Sequence, residues 1–116
     1  MAYDEKLADR IRAIVGKDQR VTEKRMFGGV AWMIDGNMFV GIAKGELMVR
    51  VGPVAHEDAL SQPHARIMDF TGKPMRGYVF VAPAGFASDD SLNAWIARAT
   101  DFTGTLPPKK PRRKTR

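Results

Sequence analysis

The sequence predicts an α+β fold in two layers, with a five-stranded antiparallel sheet and helices in the order α-β-β-β-α-β-β-α. Three observations predict it. Segments near both ends of the folded region show helical periodicity, the segments between them alternate apolar and polar residues, and tight turns of the Asp-Gly and Gly-Pro kind connect them. Helices set apart from runs of hairpin-connected strands are typical of α+β proteins rather than of parallel α/β sheets.

The first helix is predicted over residues 4–15, because its apolar residues recur at the i, i+4, i+7 and i+8 positions of one helical face. They are Leu7, Ile11, Ile14 and Val15. Asp4 and Glu5 lie in the first turn, where the helix dipole favours acidic residues. We therefore expect this face to pack on the sheet.

Three strands are predicted over residues 24–51, at about 25–34, 37–43 and 46–51. Asp35-Gly36 favours a type I′ hairpin turn between the first two. In the second strand, Met38, Val40 and Ile42 are predicted on one face and Phe39, Gly41 and Ala43 on the other. In the third strand Leu47, Val49 and Val51 share one face, and Met48 and Arg50 share the other. This alternation indicates a sheet that is covered mainly on one side.

The second half of the chain predicts a short helix, two more strands and a long helix. The short helix spans about 53–61 with Pro53 at its first position, and the strands span about 65–70 and 76–82. The last helix covers about 89–102, with Ser88 as N-cap. Its apolar stripe consists of Leu92, Trp95, Ile96 and Ala99.

A buried core is predicted from these stripes. It comprises Leu7, Ile11, Ile14, Phe39, Val49, Phe80, Leu92, Trp95 and Ile96. The many methionines suit either irregular core packing or an adaptable binding surface, and core packing is the interpretation for most of them. Met48, beside Arg50 on the less buried face, is the one we associate with an interface. Trp32 is left open between core packing and ligand stacking.

The charge is distributed unevenly along the chain. The net charge is +6, yet residues 1–103 carry 13 basic and 13 acidic residues, and all the excess lies in residues 104–116. This segment is rich in Pro, Lys and Arg and has no apolar residue after Leu106, so we expect it to be disordered. The predicted domains are therefore 1–103, a folded domain, and 104–116, a basic tail.

No pattern typical of a catalytic or cofactor site is found. The chain has no cysteine and two histidines, His56 and His64, which we expect to be solvated. The acidic residues are scattered, and no serine lies in a nucleophile-elbow context. Gly28-Gly29 precede a strand, which predicts a bulge or a close backbone approach in the sheet rather than a phosphate loop. We expect no enzymatic activity, no cofactor and no bound metal.

The N-terminus resembles neither a signal peptide nor a membrane span, and no window reaches the ~18 apolar residues of a span. The charged, helically periodic start and the absence of cysteine fit a reducing compartment. A cytoplasmic protein without a membrane partner is the expectation.

A run of short motifs begins at residues 26–29 with Met-Phe-Gly-Gly. A strand follows, then Asp35-Gly36, Met38-Phe39 and a Gly-Glu-Leu turn that leads into Val-Arg-Val. Together these motifs resemble the N-terminal domain of the TfoX/Sxy family. The resemblance covers roughly residues 3–102 and implies a stand-alone N-terminal domain. Founding members are bacterial proteins that act with a cyclic-AMP-responsive transcription factor on DNA-uptake genes. The resemblance thus implies a bacterial regulatory module in competence-type transcriptional control, whose partner belongs to the transcription machinery.

Two functions follow as hypotheses. The first is a regulatory interaction module that acts through a protein partner. The alternative is a small nucleic-acid-associated protein that binds phosphates without sequence preference through its tail. The residues assigned to that second role are Lys109, Lys110, Arg112, Arg113, Lys114 and Arg116. The oligomeric state is left open.

Overall fold

A computed structural model of the chain describes residues 4–26, 28–43, 45–70 and 73–108. Within these residues the chain forms one antiparallel sheet and three α-helices. The helices are α1 (Glu5–Val15), α2 (His56–Leu60) and α3 (Asp89–Thr103), with a 3₁₀ turn at Pro83–Phe86 before α3. The strands are β1 (Val21–Met26), β2 (Gly29–Ile34), β3 (Asn37–Ala43), β4 (Glu46–Arg50), β5 (Ala65–Phe70) and β6 (Lys73–Val81).

The sheet runs in the order β1-β2-β3-β4-β6-β5, and every neighbouring pair is antiparallel. The α+β class is confirmed, but the prediction of five strands is wrong, because the described residues form six. The segment predicted as one strand over 25–34 belongs to two paired strands, β1 and β2, with Gly28 at φ +74° between them. Gly29 then approaches β3 so closely that a Cβ would clash with the Ile42 carbonyl oxygen. The expected close backbone approach is therefore confirmed.

Side chains cap both long helices, and Ser88 is the predicted cap, whereas Asp4 is predicted within the first turn of α1. Asp4 is the N-cap of α1 and accepts hydrogen bonds from the backbone N–H groups of Lys6 (3.0 Å) and Leu7 (3.2 Å). Ser88 caps α3 and accepts from the Ser91 N–H at 3.1 Å. The Asp35-Gly36 turn has positive φ at both residues, as type I′ requires. The short helix is displaced from its prediction, because Pro53 lies in a turn and α2 begins only at His56.

The main core lies between the helices and one face of the sheet, which we call the helix-covered face. Helices α1 and α3 both contribute to it, as predicted. Its largest fully buried side chains are those of Trp32, Phe39, Leu7, Ile11, Ile34, Ile42, Leu47 and Leu92, each at most 2% exposed. Of the nine predicted core residues eight are buried, whereas Ile14 is half-buried against the core. Phe80 is buried in a separate cluster on the other face.

The edge strands carry features that disfavour pairing with another chain. Strand β1 has the charged sequence Val-Thr-Glu-Lys-Arg-Met, and β5 is interrupted by a register shift between Ile67 and Asp69. Charged side chains and bulges are the usual protection of exposed sheet edges. The faces of the sheet are therefore better suited to binding a partner than its edges are.

Candidate interaction surface

A second apolar cluster lies on the face of the sheet opposite the helices. Its buried members are Met48, Met68 and Phe80, and Met38, Ala43, Met75 and Tyr78 pack against them while partly exposed. We call these seven residues the methionine face. All of them lie on strands, so none of the described helices contributes to this cluster. Flexible, polarisable methionine side chains are over-represented on surfaces that accommodate partners of varied shape.

Strand alternation and one irregularity in the sheet produce this face. On β4 the alternation turns Leu47 towards the helices and Met48 the opposite way. The register between β2 and β3 shifts after Trp32, so that Phe39 and Val40 both join the main core and Met38 joins the methionine face. The strand β3 alternation predicted from the sequence, with Met38 on the same face as Val40, is therefore wrong at this bulge.

The pairing register places one row of residues across the methionine face from edge to edge. From β1 to β5 the row reads Lys24, Ala31, Gly41, Met48, Phe80 and Arg66. Gly41 leaves room for the Met48 side chain, whose Cε occupies the place where a Cβ would stand. The row thus has small and apolar residues in the middle and a cation at each end.

Two arginines lie over the aromatic rings of this face. The Arg50 guanidinium carbon is 5.4 Å from the centroid of the Tyr78 ring and 5.6 Å from that of Phe102 on α3. Its Nη1 donates to the Met38 carbonyl oxygen at 3.4 Å. Arg66 lies 4.7 Å from the Phe80 centroid and forms an ion pair with Glu46. These cation–π contacts hold both guanidinium groups against the apolar cluster.

On the helix-covered side a carboxylate links α1 to the sheet. Glu23 accepts a bidentate pair of hydrogen bonds from Arg12 (2.8 and 2.7 Å) and one from the Trp32 indole N–H (3.2 Å). The Arg12 hydrogen bonds lower the pKa of Glu23, although partial burial opposes them. Trp32 is 1% exposed, so it is a core residue and not a ligand-stacking one. Glu23 therefore has hydrogen-bond partners on both helix α1 and strand β2.

Another charged pair lies in the loop before β1. The Arg20 side chain and backbone N–H donate to Asp18, and these hydrogen bonds lower the pKa of Asp18 to about 2. Both groups lie at the surface, where an ion pair contributes little to stability.

A shallow cleft of about 320 Å³ lies between α3, the 3₁₀ turn and the turn before β5. It is lined by Gln62, Pro63, His64, Ala84, Gly85, Ser91, Ala94, Trp95 and Arg98. Arg98 in this cleft forms an ion pair with Asp58 (3.0 Å) and lies over the Trp95 ring, and Ser91 bonds to Ser88. These polar groups already have partners within the fold.

The two histidines differ, and the prediction that both are solvated is wrong for one of them. His56 is 6% exposed, and its Nδ1 accepts a hydrogen bond from the Gly77 backbone N–H at 3.0 Å. It thereby satisfies a donor of β6 that would otherwise be buried without a partner. His64 is exposed, with φ +71°, in the turn before β5. Within residues 4–26, 28–43, 45–70 and 73–108, no three His, Asp or Glu side chains cluster in a way that could hold a metal ion.

The tail residues predicted to bind phosphates, 109–116, lie outside the described residues. The start of the tail is described and runs to the β2–β3 turn, where the Asn37 side-chain amide donates to the Pro107 carbonyl oxygen at 3.0 Å. The described part of the tail therefore ends beside the β2–β3 turn. No helix in the described part of the chain has the length and apolar character needed to cross a bilayer.

Sequence reasoning found part of this surface and missed the rest. The alternation of β4 identified Met48 and Arg50 together. It did not identify Met68 and Phe80, because only pairing between β4, β5 and β6 brings them beside Met48. The Arg50–Phe102 contact joins residues far apart in the chain and left no local pattern.

The comparisons with known proteins give one match. The model of the TfoX N-terminal domain family matches residues 14–103, which is most of the chain. No curated protein and no solved structure matches significantly.

Proposed function

The chain belongs to the TfoX N-terminal domain family, and from this membership we propose that it is a non-enzymatic regulatory module that acts by binding a protein partner. The process regulated is of the competence type, and the partner belongs to the transcription machinery. This assignment extends to the chain the role that the family resemblance implies.

The observation that carries the proposal is the methionine face. A sheet face without a helix normally carries polar residues towards solvent. Here Met48, Met68 and Phe80 form a buried cluster there, with four partly exposed apolar neighbours. An apolar centre with a charged margin is the usual anatomy of a protein interface. The face therefore suits a protein partner better than a small substrate.

The arrangement of the acidic residues supports a non-enzymatic role. Glu23, Glu46 and Asp58 are each engaged by an arginine of the same fold, and none of the three lines the cleft beside α3. General acid–base chemistry by carboxylates needs two such groups in contrasting environments around one substrate.

Affinity purification from native bacterial extract tests the proposal. The full-length chain and a 1–103 truncation serve as baits, and each extract is divided into a nuclease-treated and an untreated half. We expect the same stoichiometric protein partner with both baits and in both halves. If partners are recovered only by the full-length chain and only without nuclease, the chain works through nucleic acid and the proposal is wrong.

A second candidate function is favoured by the charge of the tail. Residues 104–116 hold six basic residues and no acidic one. Such a segment binds a phosphate chain through counterion release, without reading bases. We propose it as the alternative, in which the folded domain only carries the tail.

Salt dependence measures this alternative directly. If all six side chains engage B-DNA, the slope of log K against log salt is about −5. Fluorescence anisotropy with labelled duplexes of unrelated sequence gives the slope, and the 1–103 truncation is the control. Undiminished binding by the truncated chain would assign the affinity to the folded domain instead.

A further inference from the structure

The folded domain has no net charge, but its charge is segregated between the two layers. The three α-helices, with the N-cap Asp4, carry eight acidic and four basic residues. The rest of residues 1–103 carries nine basic and five acidic residues. The strands account for six of those basic residues and three of the acidic ones, so the sheet is the basic layer of a neutral domain and the helices are the acidic layer.

Arg50 differs in its partners from the helix arginines and from Arg66, which pairs with Glu46. On the helices, Arg10, Arg12 and Arg98 each form an ion pair with a carboxylate of the same fold. On the methionine face, Arg50 is held between Tyr78 and Phe102, and within the described part of the chain no carboxylate lies within ion-pair distance of it. The same holds for Lys24, at the β1 end of the row that crosses this face.

From this arrangement we propose that the methionine face is the docking surface for an acidic amphipathic segment of a partner protein. The inference rests on the proposed function and names the surface and the chemistry of the partner. Apolar side chains of the segment pack against Met38 and Met48, and its carboxylates meet Arg50 and Lys24. Arg50 is already fixed by stacking, so an ion pair with a partner costs it little further side-chain entropy.

Two other occupants fit this face less well. Nucleic acid without base pairing binds by stacking its bases on aromatic rings. Here Arg50 lies over the Tyr78 ring and Arg66 over the Phe80 ring, so a guanidinium group already occupies the position where a base would stack. A second copy of this chain would bring an identical basic face opposite the first, and like charges facing each other across an interface are unfavourable. A protein segment with carboxylates matches both the apolar and the charged part.

Site-specific photo-crosslinking tests the inference with the full-length chain. In the test variant, benzoylphenylalanine replaces Thr22, an exposed residue of β1 two positions from Lys24. In the matched control it replaces Ala97, an exposed residue of α3. Irradiation is carried out in nuclease-treated bacterial extract, and mass spectrometry identifies the crosslinked peptides. We expect peptides rich in Asp, Glu and apolar residues from Thr22 and none from Ala97.

Charge reversal shows whether the basic residues cause the recognition. In the Thr22 background, Lys24→Glu and Arg50→Glu should each reduce the crosslink about fivefold or more, whereas Arg10→Glu, with the same change of net charge, leaves it unchanged. Arg50→Glu removes the contacts of Arg50 with the Tyr78 and Phe102 rings and can weaken the fold. Lys24 has an exposed side chain, so Lys24→Glu tests the charge in a folded domain. The crosslinked segment, synthesised as a peptide, should bind in fluorescence anisotropy about tenfold more tightly than the same peptide with Gln and Asn at its acidic positions.

Several results would overturn the inference. Crosslinks from Ala97 but not from Thr22 would move the interface to the helices and leave the proposed function standing. Crosslinks from Thr22 to a second copy of the chain, or to a segment without acidic residues, would refute the chemistry of the partner. Crosslinks from neither position would contradict both the inference and the proposed function.

Discussion

The two faces of the sheet differ in both composition and packing. Among the described residues, the core between the helices and the helix-covered face buries 21, mostly branched aliphatic and aromatic, whereas the methionine face buries three and shelters four more. Branched and aromatic side chains have few rotamers and pack into one arrangement, while methionine adopts many. The comparison indicates that one face is built for stability and the other retains the ability to adapt.

The largest expected effect tests the stable face. Trp95 is 6% exposed on the apolar stripe of α3, so Trp95→Ala should reduce the free energy of unfolding by about 3–5 kcal/mol. Chemical denaturation followed by circular dichroism measures the change. An unchanged denaturation midpoint would place Trp95 outside the cooperative core.

Adjacent residues of β4 compare the faces directly. Leu47 points to the helices and is fully buried, whereas Met48 lies 5% exposed on the methionine face. Leu47→Ala should cost about 3 kcal/mol, and Met48→Ala about 1–2 kcal/mol, because the smaller cluster can relax around the cavity. Only Met48→Ala should weaken partner binding when both proteins are measured under conditions where they are folded. Equal costs and equal binding would remove the distinction between the faces.

The buried histidine should have an intermediate effect. His56→Ala leaves the Gly77 N–H without its acceptor, and a buried unsatisfied donor costs about 1–3 kcal/mol. His64→Asn is the control, because Asn tolerates the positive φ of the exposed residue it replaces. Thermal denaturation of both variants measures the difference. A smaller loss for His56→Ala than for His64→Asn would contradict the role given to the His56 hydrogen bond.

The smallest effect concerns the link between α1 and the sheet, and it depends on pH. Glu23→Gln should cost about 1 kcal/mol at pH 7, since the Glu23–Arg12 pair is partly solvated. The pKa of Glu23 is lower in the folded protein than the usual 4.5, so the carboxylate stabilises the fold above that value. This contribution is lost as the pH falls through the lowered pKa.

Denaturation curves of the wild type and Glu23→Gln at pH 7 and pH 3 measure that loss. The difference in free energy of unfolding between the two proteins should be smaller at pH 3. A difference that grows on acidification would show that the carboxylate is not stabilised by Arg12.

Local sequence patterns determined the elements whose signals are short-range. The helical spacing of Leu7 and Ile11, the cap at Ser88 and the Asp35-Gly36 turn each depend on residues within a few positions, so α1, α3 and the β2–β3 hairpin were predicted correctly. A part of the candidate surface followed in the same way, because alternation along β4 alone separates Met48 and Arg50 from Leu47.

Only the tertiary structure decided the features that depend on pairing between distant segments. A bulge exists only relative to the opposite strand, so β3 by itself could not show that Phe39 and Val40 both enter the main core while Met38 lies on the other face. His56 is buried where its Nδ1 accepts a hydrogen bond from the Gly77 N–H, which lies far along the chain. Met68 joins the same cluster as Met48 because β6 pairs with both of their strands. The segregation of charge has the same origin. Composition determined that the domain has no net charge. The packing of the helices on one side of the sheet determined that the acidic layer and the basic layer lie on opposite sides of the domain.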